Sequence, residues 1–296
     1  YRLEEPNALL LDQAEYAVDG GSFQPCEELL RADTAVRKRL GYPADGGNVA
    51  QPWTLEEEPY EHQVSLRFTI EAEQNVGRVK LALEQAALAS VSWDGEPVKG
   101  KPEGWYVDPC LSVLPLAEVT AGRHTLEIVL PYHSKSSLEW CYLLGEFGVR
   151  VRGRTAVLTA MPADVGFGDL TNQGFPFYGG NFTYLLEVET EEGEYELSAA
   201  KYRSPVLCVK VDGEKRGDIA FSPYRVSLGR LSRGRHLIEL TACGSRINTF
   251  GQVHLTDEEL TWFGPESWRT GGDRFSYEYQ LKRTGVLAAP MLFKLI

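Results

Sequence analysis

Phe68-Thr-Ile-Glu-Ala-Glu73, Trp93-Asp-Gly-Glu96 and Gly122-Arg-His-Thr-Leu-Glu127 follow one another in this chain. The same three blocks return, in the same order, as Phe182-Thr-Tyr-Leu-Leu-Glu-Val-Glu189, Val211-Asp-Gly-Glu214 and Gly234-Arg-His-Leu-Ile-Glu239. A repeat of about 115 residues is too long for a solenoid and has the size of whole domains. The blocks therefore predict two similar β-domains in tandem.

Each block has a physical reading. Asp-Gly between apolar runs is a hairpin signal, because both residues accept positive φ and so match the twist of the flanking strands. Asp94-Gly95 follows Leu88-Ala-Ser-Val-Ser-Trp93, and Asp212-Gly213 follows Pro205 to Val211. Leu207, Val209 and Val211 alternate with Cys208, Lys210 and Asp212, the period-two pattern of a half-buried strand. Gly-Arg-His is a turn that opens another strand, with Leu126, Ile128 and Leu130 on one face. His124 and His236 hold equivalent places in both copies, which assigns them to the scaffold rather than to chemistry.

A chain of 296 residues can build two domains with cores of their own. The formal net charge of −12 argues against nucleic acid and against anionic membranes. No apolar run reaches the roughly 18–20 residues of a membrane span. The chain begins with Tyr1 and not Met, which suggests a piece of something longer. Five scattered cysteines without a C-x-x-C pair predict neither a zinc site nor a disulfide framework, and favour a reducing compartment. Cys208 is expected to pack as a small apolar residue.

Residues 1–60 stand outside the repeat. They read as strand material at 8–12 and 14–18 and a helix from Cys26 to Leu40, stopped by Gly41 and Pro43. A loop from Asp45 to Trp53 and a hinge at 56–59 follow. Residues 61–153 form the first expected β-sandwich, with long connections at 100–109 and 132–147. Residues 154–296 form the second, with strands expected through 277–281. Many short strands with Gly and Pro punctuation indicate an all-β chain of two tandem sandwiches or jelly rolls behind a small α/β linker segment.

The hairpin Val211-Asp-Gly-Glu214, the aromatic loop Phe221-Ser-Pro-Tyr-Arg225, the Gly234-Arg-His strand, Ile247-Asn-Thr-Phe-Gly251 and the final Gly285 to Leu292 stretch together resemble galactose-binding-like jelly rolls of glycoside hydrolases. The pattern is similar to the sugar-binding domain of family 2 enzymes of the β-galactosidase type and to the β-sandwich regions of α-L-rhamnosidases. It departs from them in carrying Ala288-Ala289 where a glycine is usual. The resemblance covers roughly residues 61–296. It implies a non-catalytic accessory region of a bacterial enzyme, with the catalytic domain of the same longer chain as its partner. A stand-alone carbohydrate-binding or adhesion protein and a structural spacer without ligand are the alternatives. The resemblance implies no cofactor. Some such modules hold a structural calcium, for which Asp164, Asp169 or Asp273 could supply oxygen, though no spacing compels it.

No P-loop, dinucleotide fingerprint, zincin motif or nucleophile elbow occurs. Glycoside hydrolysis needs two facing carboxylates, and Glu139, Glu146, Asp164 and Asp169 sit in loops, where solvated acids are the ordinary state. Sugar recognition needs aromatic faces beside planar polar groups. The second domain offers Phe177, Tyr178, Tyr224, Arg225, Asn248, Trp262 and Trp268, with Phe175 beside them. The first offers Trp105, Tyr106, Tyr132, His133 and Trp140. The competing reading is that these aromatics anchor loops.

Overall fold

The computed structural model describes residues 1–44, 58–257 and 264–296. The loop expected at 45–53, the first half of the hinge expected at 56–59, and Trp262 lie outside the described residues. The architecture is all-β with one α-helix among the described residues. No helix there is long and apolar enough to cross a membrane.

The chain divides into two compact units, and neither is continuous in sequence. The larger takes Ala8–Met161 and Gln252–Gln280; the smaller takes Tyr1–Asn7, Pro162–Gly251 and Leu281–Ile296. The boundary expected at 153/154 thus falls elsewhere, and the supposed linker segment contributes to both units.

In the larger unit, one sheet runs from the strand Asn7–Leu11 through Cys141–Gly145, Gly77–Leu83 and Asp108–Val119 to Trp105–Tyr106. The other runs Gly148–Arg152, Thr155–Thr159, His62–Ala72, Gly122–Tyr132, Ser90–Trp93 and Glu96–Pro97, with Gln13–Val18 also paired to His62–Ala72. Period-two patterning decides what each strand buries. Val64, Leu66, Phe68 and Ile70 enter the core while Ser65, Arg67 and Thr69 face out, and Leu126 and Ile128 repeat the pattern on the neighbouring strand. The helix spans Leu29–Leu40, later than the Cys26 start expected, because Gln24–Glu28 is a strand and Glu28 caps the helix. The 132–147 connection contains the strand Cys141–Gly145, and 277–281 is not a strand.

The smaller unit pairs a five-stranded sheet with a three-stranded one. The first runs Arg2–Leu3, Phe182–Thr190, Gly234–Ala242, Leu207–Val211, Glu214–Ile219. The second runs Arg225–Leu231, Gly193–Ser198, Met291–Lys294. Cys208 is not packed away as expected: it lies half-exposed on the outward face of its strand, because the alternation gives the inside to Leu207 and Val209.

The repeated blocks build the same device in both units. Asp94 and Asp212 take φ near +50° ahead of a positive-φ glycine, the requirement of a primed hairpin turn. Each aspartate accepts the next strand's backbone N–H (Thr125 or Leu237) and the imidazole Nδ1 of His124 or His236, at 2.6–2.9 Å. Each imidazole Nε2 reaches a turn carbonyl, Thr120 or Ser232. A third staple of the same form, unrecognised in the sequence, joins Asp19 to His62 Nδ1 at 2.8 Å and to Gln63 N at 2.9 Å.

Candidate functional site

A cavity of about 260 Å³ opens in the larger unit where a sheet is incomplete. The strand His62–Ala72 is covered along one full edge by Gly122–Tyr132. Its other edge is shared. Gln13–Val18 pairs with Val64–Arg67, and Thr155–Thr159 arrives in parallel at Glu71 and Ala72. Between those two ladders, residues 68–70 meet no strand on that side among the described residues. Arg67, Phe68, Thr69 and Glu71 line the resulting gap.

Planar polar groups converge on it. Asp12 is buried at the end of Asn7–Leu11, and its carboxylate accepts the Tyr279 hydroxyl at 2.7 Å and contacts His254 Nε2 at 2.6 Å. The other ring nitrogen of His254 meets Ser276 O at 2.7 Å. Burial works against a charged imidazole here, but Asp12, Glu28 and that carbonyl outweigh it and hold His254 above its ordinary value. Burial and the Asp12 charge push the Tyr279 hydroxyl far up, so it stays a donor. Gln13 is fixed by its side-chain amide to Tyr277 O and accepts Arg154 Nη2 at 2.9 Å. Arg154 sits just past the turn glycine Gly153, with its guanidinium over the Tyr277 ring. Arg67 is held by Glu127 at 2.6 Å, by Glu15 at 3.6 Å and by the Phe23 ring.

The wall therefore presents acceptors (Asp12, Glu15, Glu71), donors (Arg67, Arg154) and Thr69 and Thr155, over an apolar floor that includes Leu10 and Phe68. A shallower depression continues along the same strand past Glu71 and Thr155 to Arg123, Arg150 and Arg152. No group of three or more His, Cys, Asp or Glu side chains converges as a metal site among the described residues.

The aromatic set selected from sequence does not assemble at this cavity. Phe177 and Tyr178 are buried in the smaller unit, where Tyr178 and Phe175 pack edge-on to Phe182, and the loop closes against Gly244, which has no room for a Cβ. Asn248 is buried too, and its amide bridges both backbone groups of Lys282 at 2.7 and 2.9 Å. Tyr224 and Arg225 do reach the surface together, beside Phe221, which is 85% exposed. Arg225 pairs with Glu196 at 3.1 Å and covers the Phe293 ring. Trp268 is half-buried in a short 3-10 turn of the larger unit. Of the first-domain candidates, Trp105 is exposed, His133 is half-buried, and Tyr106, Tyr132 and Trp140 are buried. Among the loop acids, Asp169 is committed to capping Thr171 N and Thr284 N. The residues of the cavity escaped sequence reasoning. Only the polar positions of alternating strands mark them, and nothing local marks which strand edge stays open.

No family model matches the sequence, and no curated protein matches it. Among solved structures, the chain is similar to a rhamnosidase from Novosphingobium sp. PP1Y, at 16% identity and a TM-score of 0.30, over 80% of this chain and 23% of that one. It is similar to a GH2 beta-galacturonidase from Eisenbergiella tayi at 13% and 0.27, over 83% and 38%. It is also similar to an exo-chitosanase from Amycolatopsis orientalis at 12% and 0.32, over 79% and 28%. Likenesses at such TM-scores carry no argument about activity. The chain spans 23% to 38% of the length of these three glycoside hydrolase chains.

Proposed function

We propose that this chain is a non-catalytic β-sandwich region of a carbohydrate-active enzyme, and that it contacts carbohydrate through the gap beside His62–Ala72. The observation behind this reading is the convergence of Asp12, Gln13, Glu15, Arg67, Glu71 and Arg154 on one small cavity. Carboxylates, amides and guanidinium groups take vicinal hydroxyls in pairs, and the apolar floor receives a C–H face. At about 260 Å³ the space is below the roughly 300 Å³ at which drug-sized pockets begin, which restricts the occupant to one small unit. The partner proposed for the rest of the surface is a catalytic domain of the same longer chain.

The test is titration of the folded protein with a panel of neutral and acidic mono- and disaccharides, followed by calorimetry or NMR. Saturable binding is expected, weakened about tenfold by Arg154→Ala, which is the low end of one lost charged hydrogen bond. Tyr224→Ala is expected to leave it unchanged. Loss of binding in Tyr224→Ala with Arg154→Ala intact would move the site to the Phe221–Arg225 turn. No saturable binding by any sugar would sink the recognition reading.

A further inference from the structure

We infer that Cys208 and Cys243 form a thiol–disulfide exchange site on the outer face of the smaller unit's five-stranded sheet. Their sulfurs lie 3.7 Å apart, and both residues are half-exposed. The register explains the approach. Cys208 stands opposite Thr241, and Cys243 N bonds Val206 O, so the two cysteines are diagonal neighbours on adjacent antiparallel strands with side chains on one face. To reach a bonding distance of about 2.05 Å the sulfurs must close from 3.7 Å, and because diagonal neighbours stand about 7–8 Å apart at Cα, rotation about the Cα–Cβ bonds is joined by a small approach of the two strands. A pair held this near, outside the core, is reachable by a small reagent.

The surroundings divide the roles. Cys208 faces Asp218 across the ladder, and Asp218 is bound to Lys215 at 2.7 Å. Burial, then hydrogen bonding to Asp218 and Cys243, pushes the Cys208 thiol up to about 12. A thiol attacks only as thiolate, and the Asp218 carboxylate opposite Cys208 disfavours a second negative charge there, so the first attack is given to Cys243. The co-reactant is a low-molecular-weight disulfide. Cys243, having released its proton to solvent, attacks one sulfur of the reagent, the reagent's S–S bond breaks, and the departing thiolate takes up a proton. Cys208 then gives up its proton, attacks the Cys243 sulfur of the mixed disulfide, and expels the second thiolate, which is protonated in turn. Two protein thiols are oxidised and one reagent disulfide is reduced to two thiols.

The experiment uses a Cys26→Ser/Cys110→Ser background, which removes the two exposed thiols and leaves the pair untouched. The folded protein is held in oxidised glutathione, and intact mass and peptide mapping follow. Expected is a loss of two hydrogens, a Cys208–Cys243 cross-linked peptide, a higher Tm than the reduced form, and reversal by dithiothreitol. Cys208→Ser is expected to stall as a glutathione adduct on Cys243, and Cys243→Ser to stay unmodified. Both thiols remaining free in the folded background protein, or an adduct accumulating on Cys208 in Cys243→Ser, would overturn the assignment. The cross-link itself is read without altering either cysteine, so it survives a misfolded single variant.

Discussion

Asp94, Asp212 and Asp19 each fasten a turn to the strand beside it through one backbone N–H and one imidazole, at sequence separations of 31 and 30, 25 and 24, and 44 and 43 residues. For His236, the Asp212 carboxylate and the Ser232 carbonyl raise the pKa above the ordinary 6.5. For His124, burial pulls the other way, and Asp94 and Thr120 overcome it. A raised histidine contributes stability that is complete below 6.5 and is lost as pH climbs through the folded value. The aspartates are shifted the other way. Asp212 is lowered by His236 and Leu237 N; Asp94 is lowered by the same kinds of partner against its burial. Their contribution is complete above 3.8 and is lost as pH falls through the folded value. The Asp94–His124 and Asp212–His236 staples are therefore strongest between about pH 4 and 6.5. Tm is expected to fall from pH 6 to pH 9, and His124→Gln/His236→Gln to flatten that fall, leaving the part due to His254. An unchanged slope in the double variant would remove the staples from the account. Asp33 is a residue of another kind, fully buried between Arg37, Arg269, the Tyr132 hydroxyl and Leu138 N. Asp33→Ala removes the buried carboxylate that both guanidinium groups share and is expected to cost about 3–5 kcal/mol in denaturant unfolding.

At the scale of elements, the helix shows what local sequence encodes and what it leaves out. Its stop at Gly41, in the left-handed conformation, is legible. Its start is not, because the cap is Glu28, which accepts Leu30 N and Arg31 N and also Trp140 Nε1, 112 residues away. Glu28→Ala is expected to cost about 1 kcal/mol for the cap and about 1–3 kcal/mol more for the orphaned indole N–H, read as a shift in denaturant midpoint at constant slope. The strand Cys141–Gly145 was hidden for a related reason. Four consecutive buried residues show no alternation, and a short apolar run has no period to read. The hairpins at Asp94 and Asp212 were legible because two adjacent residues decide them. The third staple was not, since a helix and a long connection separate Asp19 from His62. The cavity was least legible of all. It depends on two strands sharing one edge of a third, which is a property of pairing and not of any segment.

For the whole molecule, the interleaved division has a direct test. A fragment cut at the boundary expected from sequence, residues 154–296, would lack the Arg2–Leu3 strand, the Tyr1 ring stacked on Phe182, and Glu5, which pairs with Arg246. It would also carry 252–280 without the residues they pack on, including Asp12 for His254. The fragment is expected to unfold without a cooperative transition, whereas the same chain bearing Tyr1–Asn7 through a flexible linker regains part of the smaller unit's core. A cooperative transition of 154–296 at the full chain's Tm would count against the division.

The bond between Asp12 and His254 spans 242 residues. On a ribosome adding roughly 5–20 residues per second, the imidazole is made about 12–48 s after its carboxylate. Through that interval the buried end of Asn7–Leu11 waits without its partners, and the smaller unit waits for Leu281–Ile296 as well. Neither unit can complete itself before its last segment, Gln252–Gln280 or Leu281–Ile296, has been made. Nascent chains of this protein therefore present unfinished sheet edges until those segments emerge, and their yield in a cell depends on what shields the edges in that interval.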